Sequence, residues 1–315
     1  MPRRLLITGI TGFAGSHLAE LLVGAGEEVH GLAFEPPPYP NLAAVAAQVR
    51  IHRADLGDPA AVLAVVNAAR PEAVVHLAGQ AVPAQAAADP HAAVRVNVLG
   101  TSAVVEAVRG TDARLVYAST AEVYGAPERP ATEAAPLRPP NVYAATKVAA
   151  EALVRTLPGA VILRPVNQLG PRLHPHLAAS AFARQIALAE AGQAEPVIRH
   201  GRLDARRDVL DVRDMARAYR AAAGLAGGGT YNVGSGRTVV MQELFDTLVA
   251  MSRVPLRTEL DPARVRAGDP DTVSVDPSAF VERTGWRPEV ALARSLADLL
   301  DHWRGLVRAQ EHARA

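Results

Sequence analysis

The stretch Leu5-Leu6-Ile7-Thr8-Gly9-Ile10-Thr11-Gly12-Phe13-Ala14-Gly15 decides the fold. Leu5, Leu6 and Ile7 form a short unbroken apolar run, the pattern of a strand covered on both faces of a parallel sheet. Three glycines at intervals of three follow, then an apolar helix expected over residues 16–23. Strand, glycine loop and helix in that order make an anion site: unpaired N–H groups at the helix start point outward, and glycine lets a phosphate approach the backbone. The spacing is G-x-x-G-x-x-G and not the commoner G-x-G-x-x-G. A plain tight turn is the alternative, but the ordered context favours a dinucleotide pyrophosphate.

Working outward, the same alternation repeats. Strands are predicted over residues 28–33, 49–54, 73–77, 114–118 and 160–163. Helices are predicted over 58–69 (capped by Asp58), from Asp89-Pro90 to about 108, and over 142–156. Strands alternating with helices predict an α/β fold, a doubly wound parallel sheet of the Rossmann type. After Pro165 the rhythm breaks, and Arg206-Arg207-Asp208 reads as a turn. We expect a dinucleotide-binding domain over residues 1–165, rejoined by residues 208–235. A smaller interleaved substrate lobe is expected over 166–315, with the ligand crevice at the carboxyl ends of the strands.

Composition narrows the function. The 315 residues carry a net charge of +1, 49% hydrophobic and 21% charged residues. That balance gives no reason to expect a nucleic-acid or membrane-surface partner. No cysteine is present, which excludes disulfides, thiolate metal sites and a cysteine nucleophile. No apolar run reaches the ~18 residues of a membrane span, so a cytoplasmic protein is expected. His174 and His176 have metal-like spacing but lack an evident third ligand, and no metal site is expected.

Of the 33 lysines and arginines, Lys147 alone is lysine. Tyr143 lies four residues before it on a predicted helix, so the two share a face. An ammonium beside a phenol is expected to lower the phenol pKa and make it an acid or base near neutrality. The alternative is a solvated helix pair. Thr120, just past the fifth strand, could donate to an oxygen that Tyr143 protonates, and Glu122 could act as a base. Turn chemistry is the plain reading of both.

Taken together, Thr8-Gly9-x-x-Gly12-Phe13-x-Gly15, Asp55-Leu56-x-Asp58, His76-Leu77-Ala78, Asn97-Val98-x-Gly100-Thr101, Ser119-Thr120-x-Glu122-Val123-Tyr124-Gly125 and Tyr143-x-x-x-Lys147 resemble the extended short-chain dehydrogenase/reductases of nucleotide sugars. The resemblance covers nearly the whole chain. Residues 182–186, 195–208 and 211–214 are similar to the branch holding the GDP-mannose 4,6-dehydratases and the GDP-4-keto-6-deoxymannose reductases. The resemblance implies an NAD(P)-dependent oxidoreductase, with catalytic Thr120, Tyr143, Lys147 and Glu122. Cofactor contacts are implied from Gly9, Thr11, Gly12, Phe13, Ala14, Gly15, Asp55, Leu56, Leu77, Ala78, Gly79, Tyr143 and Lys147. Substrate contacts are implied from Gln80, Asn167, Arg207 and Arg266, the two arginines on the diphosphate.

The compact length and Asp211-Val212-Arg213-Asp214 are closer to the reductases. Ala121 stands where the dehydratases carry a serine that assists dehydration. The favoured function is therefore reduction of a GDP-4-keto-6-deoxy-mannose. A 4,6-dehydratase, another nucleotide-sugar dehydratase or epimerase, and a non-catalytic nucleotide-sensing module are the alternatives. Glu35, about twenty residues past Gly15 and with no arginine beside it, favours NAD(H), with NADP(H) left open. Helices 92–108 and 142–156, apolar on more than one face, predict a homodimer, since relatives pair these helices across a two-fold axis.

Overall fold

A computed structural model describes residues 2–265 and 271–312. Its strands in chain order are β1 (Arg4–Thr8), β2 (Glu28–Ala33), β3 (Val49–Arg53), β4 (Ala73–His76), β5 (Arg114–Ala118), β6 (Val161–Pro165), β7 (Asn167–Leu169), β8 (Val197–His200), β9 (Arg206–Asp211), β10 (Gly229–Val233), β11 (Thr238–Val240), β12 (Arg257–Leu260) and β13 (Thr272–Val273). The helices are α1 (Phe13–Gly24), α2 (Pro59–Ala69), α3 (Pro83–Ala88), α4 (Pro90–Val94), α5 (Gly100–Val108), α6 (Val142–Val154), α7 (Ala178–Glu190), α8 (Val212–Ala223), α9 (Met241–Ala250), α10 (Ser278–Thr284) and α11 (Leu292–His312).

Seven strands form one sheet in the order β10-β6-β5-β4-β1-β2-β3, every pairing parallel. This is the doubly wound fold that the alternation of elements predicts. The order reverses between β1 and β4, so the crevice lies beyond Thr8 and His76. One face is covered by α1 and α8 in a core that includes Leu5, Ile7, Leu18, Val75 and Met215. The other face is covered by α2, α5 and α6 around Leu6, Val62, Val104 and Leu115. Both sides of β1 are thus apolar because both are buried, which explains the unbroken Leu5-Leu6-Ile7 run. A further core, holding Leu169, Phe182, Ile186, Phe245 and Leu299, gathers α7, α9 and α11, and Phe13 of the glycine loop packs against it.

Three expectations need correction. Arg206-Arg207-Asp208 is not a turn: it opens β9, which pairs with β7, β11 and β13. Short strands of this kind are completed by partners distant in sequence, so local pattern does not show them. The helix expected from Asp89 to residue 108 is also interrupted. Asp89 caps α4, five residues in π geometry follow (Arg95–Leu99), and α5 continues. The loop holding Ala121 and Glu122 is a 3-10 turn, Ala121–Tyr124, capped by Thr120.

Candidate functional site

Because the strands are parallel, the segments after β1, β4, β5 and β6 all emerge at one edge of the sheet. The glycine loop is the first. Gly9 has φ +69°, and Gly12 N–H bonds back to its carbonyl at 3.0 Å. A Cβ on Gly15 would meet that carbonyl oxygen at 2.2 Å, so only glycine lets α1 start this close to β1. No side chain caps α1, whose N-cap is Gly12, so its first turn is open to an anion. This cradle fits the pyrophosphate of a dinucleotide. Glu35, exposed past β2, accepts from the Thr11 hydroxyl at 3.3 Å, and Asn41, absent from the expectations, donates to the Thr11 carbonyl at 2.9 Å. Asp55 is exposed and accepts from Gly57 N–H, while Leu56 is buried.

A chain of buried hydrogen bonds joins this loop to the helix carrying Tyr143. Ala78 N–H donates to the Thr8 hydroxyl, which lies 2.6 Å from His76 Nδ1. His76 Nε2 is 3.0 Å from the Thr101 hydroxyl, which donates to the Asn97 carbonyl at 2.6 Å. These directions place the imidazole proton on Nε2. Burial, and then the Lys147 charge, lower His76 to about 3, so the ring stays neutral. Asn97, in the π turn, accepts from Gln80 N–H and donates to Gln80 O and to the Thr146 hydroxyl, which donates to Tyr143 O. Sequence reading left Asn97 and Thr146 out of the candidate site; the signal was a polar Asn inside an apolar helical pattern. Gly79 packs against Asn97, whose Oδ1 lies 2.9 Å from where a Cβ would sit. The Gln80 side-chain Oε1 is buried and has no hydrogen-bond partner among the described residues.

Tyr143 is the second residue of α6, whose N-cap Asn141 accepts from Ala144 N–H and donates to Glu122 Oε2 at 3.1 Å. The Thr120 hydroxyl accepts from Glu122 N–H at 3.2 Å and is near enough to the Tyr143 phenol to favour its ionised form. Tyr219 of α8 is close enough to act on the phenol electrostatically. Thr120, Glu122, Tyr143 and Lys147 are therefore brought together.

Their electrostatics differ from expectation. The phenol pKa is raised and not lowered: burial is the largest cause, and the Glu122 carboxylate adds to it, against the Thr120 hydrogen bond. Burial also lowers Lys147 to about 8, opposed by Glu151. Lys147 is 7% exposed, and its ammonium sits 4.6 Å from the centre of the Tyr117 ring. A neighbouring cation does not overcome desolvation here.

The remaining candidates lie on the second layer. Asn167 is exposed at the start of β7, paired through Val209 with β9. Arg207 is buried and donates to the carbonyls of Arg206 (2.9 Å) and Asp271 (3.5 Å). Asp208 is held by Ser235 and Gly236. Arg266 lies outside the described residues. Among those described, no cluster of His, Cys, Asp and Glu could hold a metal, and no helix is long and apolar enough to cross a membrane.

Comparison with known proteins agrees with this geometry. Residues 6–299 match the family model described as GDP-mannose 4,6 dehydratase. The chain is 33% identical to the GDP-6-deoxy-D-mannose reductase of Pseudomonas aeruginosa, over 98% of this chain and 100% of that one. It is similar to the structure of RMD from Pseudomonas aeruginosa complexed with NADPH, at TM-score 0.82 and 31% identity over 97% and 100% of the two chains. It is also similar to the UDP-glucose 4-epimerase of Thermus thermophilus in complex with NAD, at TM-score 0.85 and 31% identity over 96% and 99%. Both nicotinamide cofactors thus occur among its relatives. The chain belongs to the GDP-mannose 4,6-dehydratase family of extended short-chain dehydrogenases/reductases.

Proposed function

We propose that the protein reduces a GDP-4-keto-6-deoxy-mannose to a GDP-6-deoxyhexose. The observation that carries this reading is the juxtaposition of Thr120, Glu122 and Tyr143 past the end of β5, with Lys147 one turn further along α6. A protonated phenol is the form that reduction needs, because the developing C4 alkoxide must receive a proton. Tyr143 gives that proton to the sugar O4, and the Thr120 hydroxyl donates to the same oxygen as charge builds on it. Lys147 binds the cofactor ribose and supplies the positive charge of the site. When bound, the reduced nicotinamide supplies the hydride to C4. The first turn of α1 holds the pyrophosphate, with Thr11, Phe13 and Ala14 beside it, and Glu35 faces the adenosine ribose.

Gln80, with its unpartnered oxygen, and Asn167 orient the sugar, while Arg207 and Arg266 hold the diphosphate. Residues 166–315, apart from residues 208–235, whose α8 covers the main sheet and whose β10 joins it, form the substrate lobe. The protein works in the cytoplasm. The 33% identity to a reductase supports the assignment.

The second reading is the 4,6-dehydratase, favoured by Glu122 beside Tyr143, where the carboxylate would remove the sugar's C5 proton. Ala121 argues against it, because no hydroxyl stands at that position. Incubation with GDP-mannose, and separately with its 4-keto-6-deoxy product plus NADH or NADPH, separates the two. Cofactor oxidation with the keto sugar supports the reductase; a 4-keto product formed from GDP-mannose alone overturns it.

A further inference from the structure

One buried carboxylate links the two segments that carry the catalytic group. Glu151, on α6 one turn past Lys147, is 0% exposed. Its Oε1 accepts from the Ser119 hydroxyl at 2.5 Å and from Arg164 Nε at 2.9 Å. Its Oε2 accepts from Arg164 Nη2 and from Arg155 Nη2, each at 2.6 Å. Arg164, on β6, is 2% exposed and is anchored in turn by the Tyr124 hydroxyl at 2.7 Å, which donates to Asn232 of β10. Ser119 is the residue before Thr120, so this carboxylate ties the Thr120 end of β5 to the helix bearing Tyr143 and Lys147.

We propose that Glu151 is a positioning residue of the reaction: through Ser119 it holds Thr120 in register with Tyr143, and through its charge it holds the Lys147 ammonium. The inference rests on the catalytic roles proposed above. Neutral His76 from β4 and the Tyr117 ring from β5 lie by Lys147, and Glu151, one turn on in α6, is the carboxylate whose charge acts on it. Burial would raise its own pKa, but the Arg164 hydrogen bonds and charge, with Ser119 and Arg155, hold it below the usual carboxylate range. A carboxylate that stays ionised beside a desolvated ammonium keeps that ammonium charged at neutral pH.

Lys147 is the single lysine of the chain. Protein grown with carbon-13-enriched lysine therefore shows one lysine side-chain signal, and its pH titration reads Lys147 without any substrate. In Glu151→Gln the midpoint should fall by about one unit or more, the shift an opposite charge a helical turn away commonly causes. Glu151→Gln leaves Arg164 buried and unpaired, which can unfold the protein. The double variant Glu151→Gln/Arg164→Met relieves that and should show a fall in the same direction, smaller because a positive charge is removed with the negative one. Ser119→Ala keeps the charge and removes the tether: the midpoint should stay, and turnover should drop severalfold with cofactor affinity unchanged.

An unmoved midpoint in either folded Glu151 variant, or full turnover in Ser119→Ala, overturns the proposal. Tyr143→Phe is the control for the catalytic reading. If it keeps full turnover, that reading fails, whereas an inactive Tyr143→Phe with an unmoved Lys147 midpoint sinks only the role of Glu151.

Discussion

Lys147 shows at the scale of one residue how function and stability pull apart. Its ammonium is buried, and its pKa of about 8 lies below the ordinary 10.5. Below about pH 8 both folded and unfolded chains carry the proton, and the full cost of burying the charge is present, on the order of 3 kcal/mol. Between about 8 and 10.5 the unfolded chain binds more protons than the folded one, so this cost is relieved as pH rises and is gone above about 10.5. Lys147→Met should therefore melt at a higher temperature than the parent at neutral pH. The gap should close through that alkaline window, and activity should be lost. Melting curves at neutral and alkaline pH check the sign, and a lower melting point for the variant at neutral pH would refute it. Lys147→Arg asks a different question. Guanidinium is larger and planar, and the slot over Tyr117 is closed, so the ribose and nicotinamide should be displaced. Turnover should fall by about a hundredfold, the effect of small misplacements near the reacting atoms. Near-normal steady-state turnover would show that charge alone suffices.

The glycine loop and the end of β2 act as elements. An alanine at Gly15 places a Cβ 2.2 Å from Gly9 O and 2.8 Å from Ile10 Cα, both backbone atoms that cannot swing away. The start of α1 must move. Gly15→Ala should cost about 1–3 kcal/mol of stability, as overpacking does. Nicotinamide cofactor affinity should fall at least about tenfold, because the N–H groups leave the phosphate. Fluorescence titration measures the second effect, and unchanged affinity would mean that the pyrophosphate binds elsewhere. Past β2, Glu35 stands against the Thr11 hydroxyl. A 2′-phosphate would face this carboxylate, so NADH should bind more tightly than NADPH, and Glu35→Ser should narrow the difference. Arg53 ends β3 beside Ala33 and is the competing influence. NADPH binding as tightly as NADH in the parent protein would show that Arg53 prevails.

For the whole molecule, the surface of two helices sets the expectation. Val94 (44%) and Leu99 (58%) are exposed on the α4–α5 segment, and Ala145, Ala149 and Ala152 are exposed along one side of α6. Two such stripes favour a homodimer through a four-helix contact. Sedimentation should give a dimer, and Leu99→Arg should weaken it; a monomeric parent at micromolar concentration would end the idea. The parallel sheet and its glycine loop were legible in the sequence because their determinants are local. A strand buried on both faces must be apolar throughout, and glycines must stand where Gly15 meets Gly9 O. The shared face of Tyr143 and Lys147 was legible for the same reason, since helical spacing alone puts them together. The tertiary structure decided what depends on burial and on partners distant in the chain. Helical spacing to the lysine predicts a lowered Tyr143 phenol; the fold raises it, because burial and the Glu122 carboxylate both disfavour the charged form. Arg207 read as part of a turn, and it is a buried strand residue because β7, β11 and β13 close around β9. Glu151 carries no local sign of its role, because Ser119 and Arg164, 32 and 13 residues away, meet on it only in the fold. Spacing along one element is written in the chain, whereas the dielectric around a group is set only when distant elements pack over it.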